Sequence, residues 1–280
     1  MTIRESLKKA CAVLKNSDTP SLDAYLMLSC VLEKNKLYLM THMDDEINSN
    51  DMEKFFSLVK LREKAEPIAY ILGHREFYGR EFLTSEGVLI PRFDTENLIE
   101  CVKSELEYKT GDLFGLEIGV GSGIISVTLL KEIPSLYMNS TDINPEAIAL
   151  SMKNAERLNV SNRFKVSRSD IFSDVSPFPY DLIVSNPPYI KTSDIQNLMN
   201  DVKDYEPINA LDGGADGLNF YRRILNNIDD YSKSGTVIVF EIGFDQAQEV
   251  SDLIREHDFT NIKIKYDIQS YPRCISGIRK

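Results

Sequence analysis

From Asp94 onward, short apolar runs repeatedly end in a polar or glycine-rich turn that leads into a helical or loop segment. Leu113 to Ile118 runs into Gly119-Val120-Gly121-Ser122-Gly123, Leu136 to Thr141 ends at Asp142, Phe164 to Ser169 at Asp170, and Asp181 to Ser185 at Asn186. Strands separated by helices cannot close as tight hairpins. They need crossover connections, which makes the sheet parallel. Thr236 to Ile242 supplies a fifth strand, and Ile262 to Ile268 with Arg273 to Ile278 reads as a closing hairpin, giving seven strands in all. The expected fold class is therefore α/β with a mostly parallel sheet, and ligands of such sheets bind outside the carboxyl ends of the strands.

The helical signals between those strands are local. Asp94 or Thr95 can cap a helix whose inner face is Leu98, Ile99, Val102 and Leu106. Ile124, Ile125, Val127, Leu129 and Leu130 follow the glycine loop. Asn144-Pro145 supplies a cap and a first-turn proline for a helix carrying Ile148, Met152, Ala155 and Leu158.

The first part of the chain has a different period. Ile3, Leu7, Cys11 and Leu14 recur at helical spacing, and Leu22, Tyr25, Leu26, Ser29 and Leu32 form a second stripe after the start signal Thr19-Pro20. Met52, Phe55, Phe56 and Val59 make a third, and Pro67 to Leu72 a short helix closed by Gly73. Glu76 to Thr84 reads as a hairpin turning at Gly79-Arg80. The expected organisation is a helical domain over 1–72, a β-hairpin linker over 73–92 and an α/β domain over 93–280.

Charge and cysteine usage narrow the function classes. The 280 residues carry 43 Asp and Glu against 32 Lys and Arg, a formal charge of −11. That acidic excess argues against a protein whose main task is gripping a phosphate backbone, because such affinity comes from clustered Lys and Arg. Cys11, Cys30, Cys101 and Cys274 are scattered without a CxxC pair, and His42, His74 and His257 are the only histidines, so neither a metal site nor a disulfide framework is expected. Free thiols suit a reducing compartment. Charges at Arg4, Glu5, Lys8 and Lys9 break the apolar stretch a signal peptide would need, and no run is long enough to span a bilayer. The expectation is a cytoplasmic protein with no membrane partner.

Four groups of residues carry the chemistry. The Gly119-Val120-Gly121-Ser122-Gly123 loop lets backbone approach a ligand closely, but its GxGxG spacing differs from the GxGxxG of dinucleotide sites. Asp142 follows Gly123 by 19 residues, near the spacing at which an acid accepts from both ribose hydroxyls. Asp170 can accept from an adenine amino group while the Ile171 amide donates to the ring; a capping Asp in a loop is the alternative.

The sharpest motif is Asn186-Pro187-Pro188-Tyr189. Its two prolines remove two donors. The Asn186 side-chain oxygen and the Pro187 carbonyl then form a pair of acceptors suited to the two hydrogens of an NH2 group, and Tyr189 can stack on a planar group.

Gly119 to Gly123, Asp142 and Asn186 to Tyr189 resemble the class I S-adenosylmethionine-dependent methyltransferases that methylate amino groups. Further segments narrow the resemblance: Tyr70 to Gly79, Leu89 to Glu96, Glu206-Pro207 with Ala210-Leu211, Gly213 to Leu218, and Glu241-Ile242-Gly243. These are similar to the bacterial peptide chain release factor glutamine methyltransferases, the PrmC or HemK family. The match runs from about residue 65 to the end.

The resemblance implies a Rossmann-like fold and transfer of a methyl group from S-adenosyl-L-methionine to the side-chain nitrogen of the glutamine in the Gly-Gly-Gln motif of class 1 release factors. It implies that Gly119, Val120, Gly121, Ser122, Gly123, Asp142, Asp170, Ile171 and Asn186 hold the cofactor. Asn186 and Pro187 would hold the glutamine amide, with Pro188 and Tyr189 shaping its pocket, and Arg92, Phe93 and Thr95 would lie near the cofactor end.

Three positions depart from the family pattern: Val120 stands where Thr is usual, Phe93 where Pro is usual and Ile171 where an aromatic is common. The rival reading is a nucleic-acid N6-adenine or N4-cytosine methyltransferase, which presents a similar motif to an exocyclic NH2. The acidic charge and the absence of a base-reading domain favour the protein substrate. The N-terminal helices, lacking chemistry of their own, are expected to dock it.

Overall fold

A computed structural model describes residues 1–280. The chain divides into two compact units, residues 1–74 with 199–205 and residues 75–198 with 206–280.

The first unit is built from α1 (Ile3–Val13), α2 (Pro20–Leu32), α3 (Lys36–Thr41), α4 (Ser49–Glu63) and α5 (Ile68–Leu72). Helix α1 opens with a capping box in which Thr2 and Glu5 satisfy each other's backbone amides. Pro20 opens α2, and Gly73 closes α5 in the left-handed region. Leu7, Ala10, Met27, Leu28, Phe55 and Val59 form the core.

Helix α2 departs from the expected stripe. Leu22 and Leu26 are exposed, and the helix buries Asp23, Ala24, Met27 and Leu28 instead. The phase is set by an ion pair: Asp23 Oδ2 lies 2.7 Å from Arg62 Nε, with both side chains nearly out of solvent. A buried carboxylate needs such a partner, and its position dictates which face turns inward.

The second unit, from Arg75, begins within a hairpin of β1 (His74–Phe77) and β2 (Arg80–Leu83). Its turn is Tyr78-Gly79, one residue earlier than the sequence suggests. Both have positive φ, the requirement of a two-residue turn matched to strand twist. Tyr78 tolerates this conformation while its amide donates to Glu96 Oε1 and its hydroxyl bonds Glu100 and Lys103.

Then follow α6 (Glu96–Leu106), β3 (Leu113–Ile118), α7 (Ile124–Glu132), β4 (Leu136–Asp142), α8 (Pro145–Arg157), β5 (Phe164–Arg168), β6 (Tyr180–Ser185), α9 (Asn200–Lys203), α10 (Asn219–Leu225), β7 (Ser232–Glu241), α11 (Ala247–Glu256), β8 (Phe259–Tyr266) and β9 (Pro272–Arg279). Residues 199–205, which contain α9, belong to the first unit. There Asp201 approaches Arg62, and the Tyr205 hydroxyl donates to the Lys64 carbonyl at 2.8 Å.

The seven strands are ordered β5-β4-β3-β6-β7-β9-β8, parallel except for β9, which runs antiparallel to both neighbours. Alternate residues feed two cores. Leu182, Val184, Val237 and Val239 join Leu98, Val102 and Leu129 on one face; Ile183, Ile238 and Phe240 join Tyr221, Ile224 and Ile254 on the other.

Helix α8 buries Ala147, Leu150, Ser151, Asn154 and the expected Ala155, with Leu158 packed against the core, whereas the expected Met152 is exposed. A polar residue joins the apolar stripe because Asn154 is fully bonded: it accepts from the Leu83 amide and donates to the Leu83 and Ser122 carbonyls.

Candidate active site

The strand order reverses between β3 and β6, whose neighbours β4 and β7 lead away in opposite directions. Register brings Ile118 level with both Thr141 and Ser185, so the residues that follow β3, β4 and β6 emerge at one edge. Ser185 fastens that edge by donating to the Ile118 carbonyl at 2.7 Å. This reversal is where a doubly wound sheet opens a crevice for ligands.

The crevice is a cavity of about 130 Å³ whose lining includes Gly119, Gly121, Asp142, Asp170, Ile171, Asn186, Pro187 and Pro188. A smaller cavity of about 40 Å³ shares Gly119, Gly121 and Asn186 and adds Thr95, Glu117, Val120 and Ser122. Gly123 and Tyr189 line neither cavity. A Cβ on Gly119 or Gly121 would meet no neighbour within 4 Å, so a side chain there would project into open space. Gly123 is needed for a different reason: a Cβ would come within 3.0 Å of Ser151 Cβ and 3.1 Å of its Cα, where α8 crosses the turn.

Asp142 braces the glycine loop. Its Oδ2 accepts from the Gly121 amide and its Oδ1 from the Asn144 amide, each at 2.9 Å. Burial raises its pKa, and the amide bonds oppose that rise. Ile171 is a β-branched residue at φ 58, a conformation that costs about 1–2 kcal/mol for a residue with a Cβ. The Ile171 carbonyl accepts from the Ser169 hydroxyl at 3.1 Å and the Thr141 hydroxyl at 3.4 Å, which holds this conformation. The neighbouring Asp170 carboxylate is exposed and paired to Arg223 at 2.8 Å.

Asn186 donates from Nδ2 to Thr95 Oγ1 at 3.3 Å. Thr95 is buried, the last residue of the 3-10 turn Phe93–Thr95 that leads into α6. The Tyr189 hydroxyl donates to Glu241 Oε1 at 3.4 Å, and the buried Glu241 carboxyl is pushed up to about 7, chiefly by desolvation.

Glu117, the residue before the last of β3, is also fully enclosed. Its Oε2 accepts from the Ser126 amide and hydroxyl while Oε1 has no partner, and burial pushes its pKa up to about 8. Arg92 reaches the buried Glu206, which also accepts the Ile90 amide at 3.1 Å. Phe93 is exposed, with the Arg75 guanidinium 4.9 Å from its ring centroid.

Sequence reasoning assigned no role to Glu117, Glu206 or Glu241. For Glu117 and Glu241 the available signal was a carboxylate inside an apolar strand, which requires a partner or a proton; Glu206, in the segment after α9, carried no such signal.

Residues 5–73 match the family described as the PrmC N-terminal domain. Over its whole length the chain is 38% identical to the release factor glutamine methyltransferase of Clostridium acetobutylicum, with 99% of that protein covered. The chain belongs to the release factor glutamine methyltransferase family. The family's Fusobacterium nucleatum relative is 40% identical over 95% of this chain and 76% of its own. Residues 92–203 match the methyltransferase small domain. A solved methyltransferase from Pyrococcus furiosus, 18% identical with a TM-score of 0.51 over 72% of this chain and 90% of its own, shares the fold. The chain's methyltransferase family thus agrees with a crevice built on a doubly wound sheet. No helix is long and apolar enough to cross a membrane, and no cluster of side chains is suited to hold a metal ion.

Proposed function

We propose that this chain transfers the methyl group of S-adenosyl-L-methionine to the side-chain amide nitrogen of the glutamine in the Gly-Gly-Gln motif of class 1 release factors. The observation that carries the reading is Asn186 with its Nδ2 committed to Thr95, which leaves Oδ1 as an acceptor in the cavity shared with the glycine loop.

The residues around the crevice fit the cofactor. Gly119 and Gly121 face unfilled space, and Asp142 retains acceptor capacity on oxygens that each already receive one amide. In this reading Gly119 to Gly123 cradle the cofactor, Asp142 accepts from its ribose, and Asp170 with the Ile171 amide borders the adenine. Bound there, the cofactor supplies a methyl group on a sulfonium, an electrophile that needs no Lewis acid.

The chain's own contribution is positioning. Asn186 Oδ1 and the Pro187 carbonyl accept the two hydrogens of the glutamine NH2, turning the nitrogen lone pair toward the methyl. Pro188 walls the pocket, and Tyr189, which lines neither cavity, shapes it indirectly, with its hydroxyl bonded to Glu241. Holding two reactants in attack geometry contributes up to about 7–11 kcal/mol. The two acceptors also stabilise positive charge that grows on nitrogen as the bond forms. The proton becomes acidic only after the methyl arrives, so no strong base is required beforehand. Residues 1–72 dock the whole release factor, an assignment supported by their lack of a catalytic constellation.

Labelled cofactor incubated with a class 1 release factor, with a Gly-Gly-Gln peptide and with duplex DNA tests the reading. Label should enter the release factor, with a lower KM than the peptide, and DNA should stay blank. Label in DNA alone would refute it.

A further inference from the structure

We propose that Gln246 is a positioning residue for methyl transfer: it holds the backbone that follows Asn186, and with it the acceptor pair offered to the substrate NH2. The inference rests on the functional reading above. Upstream, the Asn186-Pro187-Pro188-Tyr189 loop is anchored by β6. Downstream it leaves the sheet, and its backbone groups need another frame.

That frame is a clasp built from two turns distant in the chain. The Ile190 amide donates to the Leu211 carbonyl at 3.0 Å, the Gly213 amide to the Ile190 carbonyl at 2.8 Å and the Thr192 amide to the Gly214 carbonyl at 3.0 Å. Residues 190–192 thus lie parallel to 211–214, centred on a bridge between Ile190 and Asp212. The approach leaves no room for side chains. A Cβ on Gly213 would come within 2.8 Å of the Pro188 oxygen and the Tyr189 Cα, and one on Gly217 within 2.4 Å of the Tyr189 oxygen.

Gln246 closes the clasp from the second turn, between β7 and α11. It occupies the N-cap of α11, yet its side chain makes no capping bond. The side chain turns inward instead, and the residue is buried. Nε2 donates to the Tyr189 carbonyl at 3.0 Å and to the Gly217 carbonyl at 3.2 Å, while Oε1 accepts from the Gly243 amide at 2.9 Å. A primary amide suits this place because it presents two donors to two carbonyls and an acceptor to a backbone N–H.

The prolines carry the constraint to the acceptors. The Pro187 carbonyl belongs to the peptide that joins Pro188, whose ring fixes φ, so few torsions separate it from the Tyr189 carbonyl. A shift at Tyr189 is passed on rather than absorbed. Asn186, Pro187 and Pro188 line the large cavity, whereas Gln246, Gly213 and Gly217 do not, so their effect on substrate passes through the loop.

The test compares three variants of the full chain. Gln246→Met keeps length and removes both donors, Gly213→Ala presses on the same backbone from the other turn, and Gln248→Met makes the first replacement at an exposed position of α11. Steady-state methyl transfer to a class 1 release factor, calorimetric affinity for S-adenosylhomocysteine and thermal melting are measured for each. The transfer assay is repeated with each change combined with Asn186→Ala.

Gln246→Met and Gly213→Ala should each lose about ten- to a hundredfold in kcat, the effect of displacing a reacting group by up to about 1 Å. KM and product affinity should stay within about threefold of wild type, and Gln248→Met should keep its kcat to the same margin. In the Asn186→Ala background, where the acceptor pair is already broken, the further loss should shrink to less than about threefold. The inference is overturned if either variant keeps its kcat, if the loss recurs in full beside Asn186→Ala, or if product affinity falls in step with kcat. It is overturned equally if Gln248→Met loses as much, or if both variants lose cooperative melting, since the clasp would then hold the fold rather than the site. Wild-type chain that transfers no methyl to glutamine would overturn the functional reading itself, and this inference with it.

Discussion

The carboxylate of Asp142 and the amide of Gly121 meet at 2.9 Å, joining the end of β4 to the glycine turn that follows β3. One side chain therefore shapes the loop and borders the cavity. Asp142→Ala should weaken S-adenosylhomocysteine binding by about ten- to a hundredfold, the value of a charge-assisted bond lost in a partly buried site. Calorimetric titration checks it; affinity within about threefold of wild type would remove Asp142 from the cofactor site.

Two enclosed carboxyls make stability depend on pH. Glu117 and Glu241 have folded-state values raised to about 8 and about 7 from an ordinary 4.5. Between those limits the folded chain keeps protons that the unfolded chain has released, so stability falls as pH rises. The slope approaches about 1.4 kcal/mol per pH unit for each group. Urea unfolding between about pH 5 and pH 8 should show this decline, and Glu117→Gln should flatten it and raise stability most at the alkaline end. A stability curve that rises across this range in wild type would contradict the burial of both groups as acids.

Asn154 is a structural prediction of a different kind. Its bonds to Leu83 and Ser122 tie α8 to the hairpin and the glycine turn. Asn154→Ala should cost about 2–4 kcal/mol, because it leaves the Leu83 amide without its side-chain acceptor and opens a small void. Denaturant midpoints measure this directly, and a loss below about 0.5 kcal/mol would show that water or neighbours replace the amide.

In the first unit, Asp23→Ala takes from the Arg62 guanidinium, whose side chain is 10% exposed, its closer carboxylate and leaves Asp201 Oδ2 at 3.5 Å as the remaining partner. The expected cost is about 1.5–3 kcal/mol, the value of one lost hydrogen bond to a charged group, because the guanidinium keeps a second carboxylate. Arg255→Ala, which removes an exposed pair with Asp252, should change stability by less than about 1 kcal/mol. Equal effects in the two variants would refute the distinction.

The strands and the crevice were readable because their signals are local. An apolar run that ends at Asp142 or Asn186 marks both the strand and the point where its chemistry begins, and seven such runs define the sheet. What escaped was what depends on partners distant in the chain. The inward phase of α2 follows from Arg62, thirty-nine residues after Asp23. Likewise the polar face of α8 follows from Leu83 and Ser122, and the hairpin turn at Tyr78-Gly79 from Glu96 and Glu100. The same holds for the site: Asn186 and Asp142 were recognised from their own motifs, whereas the contact between Thr95 and Asn186 spans 91 residues and leaves no trace in either segment.

The most direct measurement is tandem mass spectrometry of a class 1 release factor after incubation with S-adenosyl-L-methionine and either the wild-type chain or Asn186→Ala. Wild type should place one methyl group on the side-chain nitrogen of the Gly-Gly-Gln glutamine. Asn186→Ala should lose at least about a hundredfold in rate while still binding S-adenosylhomocysteine. A methyl group on any other residue, or undiminished transfer by Asn186→Ala, would contradict the account.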